Sequence, residues 1–351
     1  MTKINVLLTF DYELPLGGVT GTFDESLFDP TNALLNCADK LEVPLNFFAD
    51  VLSYDRFKEL KRPDYYLKFA SQMKSACEKG HDVQLHLHPH WKETKVINDT
   101  FETSNKYGLD SFANEDYPNS IEDIIEKGIS SIKEILEDED YNCLAYRAGG
   151  YVLEPEAGKI LSALRRKGIK IDSSICKGSF YKSDLSKVDY TNVPKKANWF
   201  LDLNGDFSKE GSSNGIFEIP IAGKAKSIFE VPTALKMKKC AHRAPKSGGR
   251  MIHSSPVHMN FEEKIKKLSS SRMLTFDNYT YSTSFNQKIL SSYVNQFKKE
   301  DEIFLSVIGH PKTMGKYALE LMTKFVEDSK KKYGDQIRFI TFTEAANKLG
   351  L

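Results

Sequence analysis

The 351-residue chain has no hydrophobic run long enough to cross a bilayer, no CxxC pair and almost no net charge. A membrane helix needs roughly 20 consecutive apolar residues, so none is expected. The five cysteines, Cys37, Cys77, Cys143, Cys176 and Cys240, stand far apart, which excludes a thiolate metal knuckle or a disulfide frame and leaves reduced packing residues. A formal net charge of +1 provides no chain-wide field for nucleic acid or a membrane surface. Internal repeats and low-complexity tracts are absent as well. Met1-Thr2-Lys3 leads directly into the apolar residues 4–10, too short for a secretory core and followed by acids, so a soluble cytoplasmic protein is expected.

What is abundant is histidine in one place. Residues 81–91 hold His81, His86, His88 and His90, four of the eight histidines of the chain, ending at Trp91. Neutral imidazole is the commonest metal ligand near pH 7, and side chains two apart on a strand, or four apart where a strand enters a loop, converge on one ion. The plainer reading is a histidine-rich solvated loop.

Around this cluster, β-rich apolar runs alternate with helical patterns. Strands are expected at residues 4–10, 43–51, 83–88, 143–146, 169–171, 215–221, 303–308 and 337–341, and helices at 32–41, 63–79, 121–136, 155–168 and 317–333. That rhythm predicts an α/β fold, a distorted (β/α) barrel of seven or eight strands, with an open doubly wound sheet as the alternative. One domain is expected over residues 1–351, interrupted by insertions at 92–119 and 222–283. The second insertion opens with Lys224, Lys226, Lys236, Lys238, Lys239, Arg243, Lys246 and Arg250 against the lone acid Glu230, either a solvated face or a patch for an anionic group. Its run 244–249 reads as a flexible loop.

The first strand ends Thr9-Phe10-Asp11-Tyr12-Glu13, and alternation places Asp11 and Glu13 on one side. Beside a cation, one carboxylate can ligate while the other takes a proton from water. Arg147 closes a later strand and can hold Asp11 ionised through a charge-assisted pair, while the following glycines let main-chain N–H groups approach an oxyanion. His310, at the end of a late strand, is the candidate general acid.

In this order, the segments resemble the polysaccharide deacetylase family, carbohydrate esterase family four in the wider sense, over residues 8–310. Thr9-Phe10-Asp11 matches the first motif, with Asp11 in the place of the catalytic base. Tyr12 stands where that family has a metal-binding aspartate, so Glu13 would ligate instead. His86 and His90 match the His-x-x-x-His metal motif, and His88 is an additional imidazole; which two of the three bind is left open. Arg147 falls on the arginine that supports the base, Gly150 and Tyr151 on the backbone lining the oxyanion site, and His310 on the histidine that acts as acid, with Asp172 as the candidate to orient it. Trp91 and Glu218 are the further candidates for substrate contact.

The resemblance implies removal of an N-acyl group, acetyl in the simplest case, from an amino sugar in a nucleotide- or lipid-linked precursor of a surface polysaccharide. It implies a divalent cofactor, Zn²⁺ first, with Co²⁺, Ni²⁺ or Mn²⁺ accepted by the same donor set. A carbohydrate partner is expected and a nucleic acid is not. Two other classes stay open: a glycoside hydrolase with Asp11 as nucleophile, and a sugar-binding protein without chemistry.

Overall fold

The computed structural model describes residues 2–19, 21–97, 100–226, 257–277 and 282–351. Its centre is a nine-stranded sheet: β1 (Lys3–Tyr12), β2 (Asn46–Asp50), β3 (Asp82–Leu87), β4 (Ala145–Ala148), β5 (Ile171–Asp172), β6 (Trp199–Phe200), β7 (Phe217–Glu218), β8 (Glu302–Gly309) and β9 (Ile337–Phe339). The order is β6-β7-β5-β4-β3-β2-β1-β8, with β9 beside the first half of β1. Every pairing is parallel except β6 with β7.

The two edges meet. Beyond β7, a parallel bridge joins Ile221 to Ser306 of β8, with Ala222 N–H donating to the Ser306 carbonyl at 3.0 Å and Ser306 N–H to the Pro220 carbonyl at 2.9 Å. This closes the sheet into the expected distorted barrel, and the open doubly wound alternative is ruled out. Closure also pairs the exposed edges that an open sheet would leave.

Helices α1 (Asp29–Leu41), α2 (Val51–Glu59), α3 (Pro63–Glu78), α4 (Ile121–Leu136) and α5 (Ala157–Arg166) alternate with the strands, and α7 (Thr283–Gln296), α8 (Lys316–Tyr333) and α9 (Phe342–Leu349) complete the outer layer. Local sequence sets these limits. Helix α4 begins at a capping box in which Ser120 Oγ accepts from Asp123 N–H, and it buries Ile121, Ile124, Ile125, Ile132 and Ile135 on one stripe. Helix α2, absent from the sequence expectation, starts at Val51 directly after β2, with no turn residue between them to announce it. Strand alternation sends Phe10 and Tyr12 into the helix layer, where the Tyr12 and Phe69 rings lie 4.7 Å apart, and turns Thr9, Asp11 and Glu13 the other way.

The insertion at 92–119 carries a short hairpin, Lys95–Ile97 with Thr100–Glu102, and the turn Leu109–Phe112. In the second, Gly223–Ala225 pairs antiparallel with Ser271–Met273, and helix α6 spans Phe261–Ser269. Lys236, Lys238, Lys239, Arg243, Lys246, Arg250 and the loop 244–249 lie outside the described residues. Among the described residues no helix is long and apolar enough to cross a membrane.

Candidate metal centre and active site

Closure of the barrel brings the C-terminal ends of β1, β3, β4 and β8 together, where β/α barrels carry their chemistry. Arg147 is the floor. Fully buried, it donates from Nη1 to Asp11 Oδ1 at 2.7 Å and to Thr9 Oγ1 at 2.8 Å, and from Nε to the Ser173 carbonyl at 2.8 Å, with its guanidinium 4.2 Å above the Phe48 ring. A buried arginine so fully partnered fixes the orientation of the Asp11 side chain.

Above it, Glu13, His86 and His88 converge, each buried, with ligand atoms all within 4.8 Å of one another. The hydrogen bonding of His86 tests whether this group suits a cation. Its Nδ1 lies 2.8 Å from the Arg147 carbonyl. A carbonyl only accepts, so Nδ1 carries the proton and a neutral ring turns the Nε2 lone pair toward Glu13 Oε2, 3.2 Å away. Two acceptors face each other there, which only a proton or a metal ion reconciles. His88 Nε2 abuts the same carboxylate oxygen yet makes no hydrogen bond. Two imidazoles and one carboxylate oxygen are a donor set that a divalent ion of the zinc type accepts, and the outer bond from Nδ1 to a backbone carbonyl fixes the ligating tautomer. The cavity itself favours positive charge: although burial disfavours the charged ring, Asp11 and Glu13 outweigh it and raise His86 to about 9.

His90 stands apart from this group. Fully buried, it packs against the rings of Trp91 and Tyr107, each with centroids 5.1 Å away, and neither of its nitrogens has a hydrogen-bond partner. Burial and the neighbouring His88 hold its pKa well below the ordinary value, so the ring is neutral. The pair that meets Glu13 is therefore His86 and His88, two apart on a strand, rather than the four-residue spacing.

His310 closes the far side. Its Nε2 lies 3.5 Å from Asp11 Oδ2 and 3.7 Å from Glu13 Oε1. Its Nδ1 donates to Asp277 Oδ2 at 3.0 Å, and its backbone N–H donates to Asp277 Oδ1, also at 3.0 Å. Burial opposes the charged ring, but Asp277 prevails and raises the pKa above the usual histidine value. Asp277 is further held by Thr275 Oγ1 at 2.9 Å and Thr313 Oγ1 at 2.6 Å.

This arrangement corrects the role expected of Asp172. That carboxylate accepts from Ser174 N–H at 2.8 Å and Ser174 Oγ at 2.9 Å, whereas the carboxylate bonded to His310 is that of Asp277. Glu218, expected at the substrate, is fully buried beside it; burial first, then Asp172, raises its pKa well above the carboxylate range. Trp91 is likewise fully buried, donating from Nε1 to Asp50 Oδ2 at 2.6 Å and packing against Phe57 and Phe101. It shapes a wall of the core instead of meeting solvent.

Gly150 and Tyr151 lie in a tight turn, Gly149–Tyr151, with left-handed φ of 61° and 64°. Gly149 matters more than the sequence indicated: a Cβ there would come within 2.5 Å of the Leu87 carbonyl and 2.8 Å of His88 Nδ1. The missing side chain makes room for His88.

Sequence reasoning missed Asp277 and Lys312. Lys312 Nζ lies 2.6 Å from Glu13 Oε1, and although burial alone would raise the Glu13 pKa, Lys312, His88 and His86 hold it well below the ordinary value. For Asp277 a signal existed, because Thr275-Phe276-Asp277 repeats the tripeptide Thr9-Phe10-Asp11.

Fold and site together define a β/α barrel with a buried carboxylate and imidazole cluster at the C-terminal strand ends. Among solved structures the chain is similar to a putative polysaccharide deacetylase from Mycobacterium smegmatis, at TM-score 0.50 and 13% identity over 99% of this chain and 91% of that one. A probable polysaccharide deacetylase from Pseudomonas aeruginosa follows at TM-score 0.47 and 9% identity over 99% and 90% of the two chains, and an allantoinase at TM-score 0.47 and 11% identity over 99% and 90%. No family model matches the chain, and no curated protein does. At these identities the likeness is one of fold alone: the chain shares the barrel fold of the Mycobacterium smegmatis protein.

Proposed function

We propose that the protein is a metal-dependent hydrolase that removes an N-acyl group, acetyl in the simplest case, from an amino sugar or a sugar-containing precursor of a surface polysaccharide in the cytoplasm. The observation that carries this reading is the approach of His310 to within 3.5 Å of Asp11 beside the Glu13, His86 and His88 group. A carboxylate and an imidazole side by side at one cluster suit the two proton transfers of amide hydrolysis.

A divalent ion held by Glu13, His86 and His88 would supply the Lewis acidity that lowers the pKa of water from about 15.7 toward about 7. Asp11, held in place by Arg147, accepts the proton of water as the oxygen bonds to the acyl carbon. A main-chain N–H of the turn at Gly149–Tyr151, next to His88, stabilises the developing oxyanion. His310, kept protonated by Asp277, gives its proton to the nitrogen as the C–N bond breaks. The products are the free amine and the carboxylate.

The test is release of acetate from N-acetylated sugars by the purified protein with added divalent ions. Asp11→Asn should lower activity by roughly the 10²- to 10⁴-fold that a general base contributes, and His86→Ala should remove activity together with ion binding. Undiminished release by either variant would defeat the mechanism, and reducing ends appearing without acetate would favour a glycosidase.

A further inference from the structure

An amphipathic helix on a protein surface normally turns its apolar stripe inward. Helix α6 does the reverse. Phe261, Ile265 and Leu268, spaced to share one face, are 78%, 50% and 78% exposed, and none of the residues of the helix is buried. The opposite face fastens the helix to the body: Glu263 pairs with Lys182 at 2.7 Å and Lys266 with Asp189 at 2.8 Å. A capping box between Asn260 and Glu263, with bonds of 2.9 and 3.0 Å, fixes its start. The helix is therefore held by its polar side with its apolar side outward, and among the described residues nothing buries its three large apolar side chains.

Charge identifies what would cover them. The net charge of +1 conceals a strong asymmetry, since residues 222–273 contain twelve lysines and arginines against three acids. Within the described part, exposed Lys264 and Lys267 flank the stripe on one side, and Lys226 has its pKa lowered by burial and by the adjacent Arg272 and Lys267, the mark of crowded positive charge. Large apolar residues bordered by lysines on an outward helix are the pattern that sits at the boundary of headgroups and acyl chains. Each basic residue close to an anionic bilayer strengthens binding by about fivefold.

We propose that helix α6, with the adjoining hairpin Gly223–Ala225 and Ser271–Met273, is a docking surface for an anionic lipid bilayer. The strand Ser271–Met273 of that hairpin runs on through Thr275 to Asp277, the residue that holds His310, so the docked face and the active site share one stretch of chain.

Flotation of the full chain with phosphatidylglycerol-containing vesicles, against pure phosphatidylcholine, tests the proposal independently of any hydrolase chemistry. The wild type should float with the anionic vesicles alone. Phe261→Ser/Leu268→Ser and Lys264→Glu/Lys267→Glu should each reduce that partition about tenfold or more. The substitutions are at exposed positions, so circular dichroism melts should be unchanged. Absence of wild-type flotation overturns the proposal, whether residues 227–256 of the same chain or a second copy covers the stripe. Flotation that survives loss of the apolar pair also overturns it, because simple charge attraction would then suffice. A sedimentation shift from dimer to monomer on loss of the apolar pair, without vesicle binding, assigns the stripe to self-association instead.

Discussion

Arg147 Nη1 lies 2.7 Å from Asp11 Oδ1 with both side chains buried, and the rest of the site is arranged around that pair. Removing one partner leaves an uncompensated buried charge. Arg147→Met should cost about 3–5 kcal/mol of folding stability, read from urea unfolding midpoints. Arg147→Lys should recover only part of this, since one ammonium cannot reach Asp11, Thr9 and the Ser173 carbonyl together. A wild-type midpoint in Arg147→Met would show that the pair contributes nothing net.

His310 carries a signature in pH. Its folded pKa is raised, so the stability it contributes is full below the unfolded histidine value of about 6.5 and is lost as pH rises through the folded value. Asp277→Asn should destabilise the protein more at pH 6 than at pH 10 and should move the alkaline limb of kcat/KM downward. Asp172→Asn should leave that limb in place, because Asp172 is bonded to Ser174 and does not meet His310. Equal shifts in the two variants would refute the assignment of Asp277.

Lys312 and Glu13 act at the acid end. The folded pKa of Glu13 is depressed, so its contribution is present above the unfolded glutamate value of about 4.3 and disappears as pH falls through the folded value. Lys312→Met removes the largest of the influences that depress it. Acid unfolding should then begin at higher pH, an outcome followed by tryptophan fluorescence; an unmoved acid transition would mean that the imidazoles alone hold Glu13 ionised.

Ion binding should register in stability. A ligand that binds only the folded chain, at 100 times its dissociation constant, stabilises by about 2.7 kcal/mol. A Zn²⁺- or Co²⁺-dependent rise in Tm is expected for the wild type and should vanish in His88→Ala. It should persist in His90→Phe, whose ring can keep its place between Trp91 and Tyr107. Persistence in His88→Ala with loss in His90→Phe would reverse the ligand assignment.

Strand alternation made much of this legible beforehand. Asp11 with Glu13 and His86 with His88 share sides because they are two apart, and Arg147 and His310 end strands that the apolar runs mark plainly. Other features depend on chain closure, which no local pattern records. Asp277 reaches His310 from an insertion that reads as a solvated basic face or an anion-binding patch, and Lys312 meets Glu13 across 299 positions of sequence. Asp172 misled for the complementary reason: it ends a strand as a catalytic acid would, but its side chain turns to Ser174. Helix α2 escaped because Val51, its first residue, reads as the last of the strand expected over 43–51.

The claim of a cation centre is tested most directly by anomalous diffraction from crystals grown with Zn²⁺ or Co²⁺. The account predicts one ion at about 2.0–2.2 Å from a Glu13 oxygen and from a nitrogen of each of His86 and His88. Crystals with no ion among these three side chains, or with the ion held by His90 in place of His88, would contradict it.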